Sequence, residues 1–75
     1  MTKTRSAFLS DFGSRVKELR TQSNLSQSDI AEAIGISQPA YCKLEQGTID
    51  VTIRRAAEVA YILGTDLTNL LKGIL

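Results

Sequence analysis

The sequence predicts an all-α fold, a compact arrangement of five short helices, on three observations. Apolar residues recur at helical spacing and nowhere alternate as they would in a strand. Small polar caps and glycines punctuate the chain at short intervals. The only proline, Pro39, stands just inside a predicted helix start, where a missing N–H costs little because first-turn donors have no intrahelical partner. Seventy-five residues fit one domain, residues 1–75, since a chain this short buries only about 60% of its unfolded surface and cannot build two cores.

Each element has its own justification. Phe8, Phe12, Val16 and Leu19 share a face, with Arg15, Lys17 and Arg20 on others, so a first helix runs from about Ser6 or Ser10 to Gln22. Asn24, which tolerates the left-handed conformation, closes it. Ser26 caps a second helix of barely two turns, with Asp29 in its acidic first turn, Ile30, Ala31 and Ile34 facing inward, and Gly35 as its stop. Ser37 caps the third, whose inner stripe is Tyr41 and Leu44 and whose end is Gly47. Thr52 caps the fourth, in which Ile53, Ala56, Ala57, Val59, Ala60 and Leu63 supply a broad apolar face up to Gly64. Asp66 caps a fifth, about 66–73, holding Leu67, Leu70 and Leu71, and Gly73 is expected to leave Ile74 and Leu75 as loose apolar ends.

Composition narrows the function. An apolar share of 43% and a mixed-sign charged share of 23% describe a chain that folds. With no histidine and one cysteine, metal sites of the usual spacing and an internal disulfide are excluded, and a cytoplasmic setting is expected. No apolar run approaches the ~20 residues of a membrane span, and the N-terminus lacks the apolar core of a secretory signal, so no membrane association is expected. Enzymes are disfavoured by the missing histidine, the absence of a phosphate loop and a core too small for a substrate cavity, and no cofactor is expected. The net charge of +1 is too low for binding nucleic acid by bulk charge. Its distribution is uneven: Lys3, Arg5, Arg15, Lys17 and Arg20 outweigh Asp11 and Glu18 early on, while Asp29, Glu32, Glu45 and Asp50 outweigh Lys43 in residues 28–50. Any DNA contact must therefore come from individually placed groups.

Two short helices joined by a tight Gly-containing turn, the second with a polar outer face, describe a helix-turn-helix, here about residues 26–46. The details are more specific than the spacing: Leu25-Ser26-Gln27 before Ile30-Ala31, Gly35 through Ala40, Lys43-Leu44-Glu45-Gln46-Gly47, Val51-Thr52-Ile53 and Ala60 through Gly64. This run closely resembles the Cro/C1-type, or XRE, family of helix-turn-helix regulators, in register without a gap. The resemblance implies a lambda-repressor-like domain whose second and third helices form the DNA-binding motif, and a transcriptional regulator that binds a palindromic double-stranded operator as a homodimer.

By position, the resemblance makes Gln27 the residue that clamps a phosphate and braces the recognition helix. It makes Gln38, Pro39, Cys42 and Lys43 the groove-reading face, with Ser37 at its start, and makes Gln46 and Thr48 part of the backbone clamp. Gln38 can pair bidentately with adenine, and Lys43 can donate to guanine or to a phosphate. Arg20 and Glu45 match a family pair that bridges the first helix to the end of the third, a structural role. Two departures matter: Tyr41 stands where the family usually has isoleucine or valine, so its hydroxyl needs water or a partner, and Pro39 offers apolar contact in place of a donor. Cys42 reads as a small residue of the motif rather than a redox switch, there being no resolving cysteine.

Elsewhere, Arg54 and Arg55 form either a solvated face or a phosphate contact, and Lys3 and Arg5 either an arm along DNA or a loose terminus. The apolar end, Leu67, Leu70, Leu71, Ile74 and Leu75, exceeds what a short terminal helix buries beneath itself and is expected to pair two subunits. A rival reading makes the same fold a protein-interaction module, such as an antitoxin sealing a toxin, with the acidic stretch and the apolar tail as its contact surface.

Overall fold

The computed structural model describes residues 3–74 and forms five helices: α1 (Arg5–Gln22), α2 (Gln27–Ile34), α3 (Gln38–Gln46), α4 (Ile53–Ile62) and α5 (Leu67–Leu71), with no strand among the described residues. The fold class is the all-α one that the apolar spacing predicts.

Side-chain caps explain where the helices begin, because each satisfies an N–H that has no intrahelical acceptor. Thr4 accepts from the Ala7 N–H and starts α1 at Arg5, slightly before the predicted start at Ser6 or Ser10. Ser26 and Asp29 form a reciprocal capping box: the Ser26 hydroxyl accepts from the Asp29 N–H at 3.0 Å and the Asp29 carboxylate from the Ser26 N–H at 2.8 Å. The bond from the Ser26 N–H, with a smaller contribution from the Ser26 side chain, holds the Asp29 carboxyl below its ordinary pKa. Ser37, Thr52 and Asp66 cap α3, α4 and α5 by the single bond, each accepting from the backbone N–H three residues on. Asn24, at φ 58°, is the one non-glycine residue in the left-handed region among those described.

The core is Phe12 and Val16 of α1, Ile30 and Ala31 of α2, Tyr41 and Leu44 of α3, Ala56, Val59 and Ala60 of α4, Leu70 of α5, and Ile74. Phe8 stacks on Phe12 with ring centroids 6.5 Å apart.

Two expectations need correction. The α4 apolar face is narrower than predicted: Ile53 is 79% exposed and Ala57 is also exposed, because Ile53 opens the helix at the edge of the buried arc and overhangs a surface hollow instead of entering the core. Ile74 is not a loose end. Gly73 turns the chain back at φ 84°, the Ile74 N–H bonds the Leu71 carbonyl, and the side chain enters the core at 4% exposure. Leu70 is likewise fully buried. Of the predicted pairing residues, only Leu67 and Leu71 keep partly exposed side chains, while Leu75 lies outside the described residues.

The packing of α1 on α3 depends on two glycines. A Cβ on Gly13 would press on the carbonyls of Leu44 and Glu45, at 2.7 Å from the Leu44 oxygen. Gly47 also lies tight against α1, where a Cβ would come within 2.7 Å of the Ser10 Cα, and its φ of 74° turns the chain out of α3. Arg5, inside α1 rather than on an arm, pairs with Asp50 at 2.8 Å, and Lys3 pairs with Asp11.

Candidate nucleic-acid interface

The outer face of α3 follows from its period. At 100° per residue, Gln38, Cys42, Gln46, Pro39 and Lys43 fall within one arc about 140° wide. Gln38, Pro39, Lys43 and Gln46 are exposed and Cys42 is half-buried, while Tyr41, Leu44 and Glu45 occupy the opposite side and are buried. The arc carries no carboxylate, because the one acid of α3 points into the protein. Ser37 lies at the edge of this face, its hydroxyl oxygen taken by the Ala40 N–H. Thr48 lies beyond the far end, its backbone N–H and hydroxyl both bonded to the Lys43 carbonyl, and the Gln46 amide donates to the Cys42 sulfur at 3.4 Å.

Behind this face is a polar cluster centred on Glu45, whose side chain is 3% exposed. Arg20 grips the carboxylate with two donors, Nε to Oε2 at 2.6 Å and Nη2 to Oε1 at 3.3 Å, and its Nη1 donates to the Leu25 carbonyl at 2.8 Å. The Tyr41 hydroxyl donates to Oε2 at 2.6 Å, and Gln27 Nε2 donates to Oε1 at 3.1 Å. One carboxylate thus joins the end of α1, the start of α2 and the body of α3, and Arg20 ties the loop after α1 to the same cluster. Burial alone pushes the Glu45 pKa up, but the hydrogen bonds from Arg20, Tyr41 and Gln27, with the Arg20 charge, outweigh it, and the net shift is downward. The Glu45 hydrogen bond raises the Arg20 pKa against the opposing effect of burial. Burial first, and the Glu45 carboxylate second, drive the Tyr41 phenol far above its ordinary value, so it stays a donor.

Sequence reasoning reached the Arg20 and Glu45 positions and the need of Tyr41 for a partner, but not the identity of that partner. The four-residue spacing of Tyr41 and Glu45 on one helix face was the available clue. It also passed over Gly13, and two arginines have structural work that charge patterning does not reveal. Arg55 donates to the Ile34 carbonyl at the end of α2 and to Glu58, both at 3.0 Å. Arg15 donates to Glu18 and to the Asn69 carbonyl, tying α1 to α5. Arg54 remains exposed.

No described helix is long and apolar enough to cross a membrane, and no group of three potential metal-ligating side chains occurs among the described residues.

Comparison with known proteins bears on the family and the fold. The sequence matches the helix-turn-helix family HTH_3 over residues 16–70. It is 36% identical over 62 residues to YonR, an SPbeta prophage-derived HTH-type transcriptional regulator of Bacillus subtilis, covering 83% of this chain and 57% of that protein. It is 27% identical to the cryptic phage CTXphi transcriptional repressor RstR of Vibrio cholerae, covering 79% of this chain and 53% of that one. The chain therefore spans little more than half the length of these curated relatives, which are regulators rather than enzymes. In fold it is similar to the clp gene regulator ClgR of Corynebacterium glutamicum, with a TM-score of 0.83 at 23% identity over 85% of this chain and 68% of that one. A match through both helices of the motif and most of the core around it means that the chain belongs to the Cro/C1-type helix-turn-helix family of DNA-binding transcriptional regulators.

Proposed function

We propose that the protein regulates transcription in the cytoplasm by binding a palindromic operator as a homodimer, with α3 of each subunit in the major groove. The observation that carries this reading is the outer arc of α3, five residues without a carboxylate backed by a buried, fully bonded Glu45 that holds the helix at a fixed angle. Gln38 and Lys43 read base edges, Pro39 and Cys42 make apolar contact, and Gln27, Ser37, Gln46 and Thr48 meet the backbone on either side. Phosphates supply most of the affinity and the few base edges the selectivity.

The interaction-module alternative loses support at its acidic stretch. Glu45 lies in the interior, Asp29 is engaged in the α2 capping box and Asp50 pairs with Arg5 at the surface, so that of the four acids only Glu32 is left exposed outside these contacts. The test is selection of bound duplexes from random DNA by the purified chain. Enrichment of an inverted repeat with half-sites about one helical turn apart supports the reading, and enrichment of no motif overturns it.

A further inference from the structure

We propose that Tyr41, a residue with no access to DNA, is a positioning residue for the backbone contact made through Gln27. The proposal rests on the reading of Gln27 as a phosphate contact and deepens it by naming what aims that side chain.

The final torsion of a glutamate side chain is broad and weakly restrained, so the direction of its two oxygens is set by their hydrogen-bond donors. In Glu45 the two oxygens serve different elements. Oε2 takes Tyr41 and the Arg20 Nε, both at 2.6 Å, while Oε1 takes the second Arg20 donor at 3.3 Å and Gln27 at 3.1 Å. Tyr41 lies four residues before Glu45 on the same helix, and its ring is fully buried. Its hydroxyl therefore fixes the carboxylate plane from within α3, without relying on the long Arg20 side chain from α1.

With Oε2 fixed, Oε1 is aimed at the first residue of α2. Gln27 bonds it with one hydrogen of a carboxamide that has two, and the orientation of that amide directs the second. Removing the Tyr41 hydroxyl leaves Oε2 with Arg20 alone. The carboxylate can then turn to equalise the two Arg20 bonds, which moves Oε1 away from Gln27. Tyr41 thus influences a phosphate contact through two hydrogen bonds in series, Tyr41 to Glu45 and Gln27 to Glu45. Burial first, and the Glu45 carboxylate second, push the phenol pKa well up and keep the hydroxyl a donor.

The experiment is a double-mutant cycle on the whole chain, Tyr41→Phe against Gln27→Ala. Affinity is read by fluorescence anisotropy on a duplex selected from random DNA and on one of mixed sequence, at one salt concentration, with urea unfolding as the fold control. Tyr41→Phe is expected to weaken both duplexes alike by about three- to tenfold, and to have no further effect in the Gln27→Ala background. In the DNA-free protein, the Gln27 side-chain amide protons should exchange faster with solvent in Tyr41→Phe, a readout that a packing role for the ring would not move. Unchanged affinity in Tyr41→Phe overturns the proposal, as does an equal loss in the presence and absence of the Gln27 side chain. If Gln27→Ala alone binds like the parent, the phosphate reading of Gln27 fails first and the proposal fails with it.

Discussion

Lys43 and Gln38 test the groove-reading face most directly, because both side chains are exposed and neither supports the core. Lys43→Ala and Gln38→Ala should each lower the preference for a selected site over mixed-sequence DNA by about 1–3 kcal/mol with unchanged unfolding midpoints. Competition binding checks this, and an equal loss on both duplexes would reassign the residue to the backbone. Glu45 makes a prediction in pH. Its pKa is depressed in the folded state, so the stabilisation from its network is complete above the ordinary carboxylate value of 4.5 and disappears as pH falls through the lower folded value. Asp29 adds to the same acid-side loss. At pH 7, Arg20→Ala should cost about 3–5 kcal/mol, because it leaves a buried carboxylate with only neutral donors. The penalty should shrink on acidification, when the Glu45 charge is removed, and a penalty independent of pH in urea titrations would contradict the assignment. At this scale the sequence was legible where chemistry is local. The outer arc follows from helical period, but the meeting of Gln27 and Tyr41 on one carboxylate depends on how α2 crosses α3, which no local pattern encodes.

Helix boundaries were the most legible feature at the scale of elements, since a cap is a short-range event: a hydroxyl or carboxylate three residues before the N–H it accepts from. Ser37→Ala should accordingly destabilise the domain by about 1 kcal/mol, measured by urea unfolding, because α3 loses the acceptor for the Ala40 N–H. Gly13 is the opposite case. In a sequence it looks like a weak point in an otherwise good helix, where alanine would be expected to stabilise by nearly 1 kcal/mol. In the fold it is the point where α1 rests on the last carbonyls of α3, with backbone rather than flexible side chain in the way of a Cβ. Gly13→Ala should therefore destabilise by about 1–3 kcal/mol. Because the clash lies beneath Leu44 and Glu45, it should also tilt α3 and reduce discrimination between sites. A stabilised Gly13→Ala variant would show that the two helices can separate at no cost. The narrowing of the α4 face has a similar origin: six apolar residues suggested one broad stripe, but neighbouring helices cover only Ala56, Val59, Ala60 and part of Leu63.

For the whole molecule, the proposed homodimer requires a surface on which two copies would meet. One α3 spans only a few base pairs, and a net charge of +1 adds little general attraction, so a single subunit would bind too weakly to compete for a site among bulk DNA. Paired about a two-fold axis, the two subunits must place their recognition helices about 34 Å apart on one face of the DNA. With Leu70 and Ile74 in the core, one apolar surface that pairing could use is a hollow of about 170 Å³ lined by Phe8, Val51, Leu67 and Leu71 and overhung by the exposed Ile53. Ile53 is the residue to change. As the first residue of α4 it contributes little to the core, and glutamate is favoured there by the helix N-terminus, so Ile53→Glu should leave the folded subunit as stable as the parent. In a two-fold interface the substitution introduces two carboxylates into an apolar contact. Ile53→Glu should therefore sediment as a folded monomer with a steep loss of affinity for an inverted repeat, and Leu71→Glu should reproduce the monomer with some loss of stability from its partly buried position. If Ile53→Glu remains dimeric, the axis passes elsewhere, and the exposed Tyr61 at the other end of α4 becomes the surface to test.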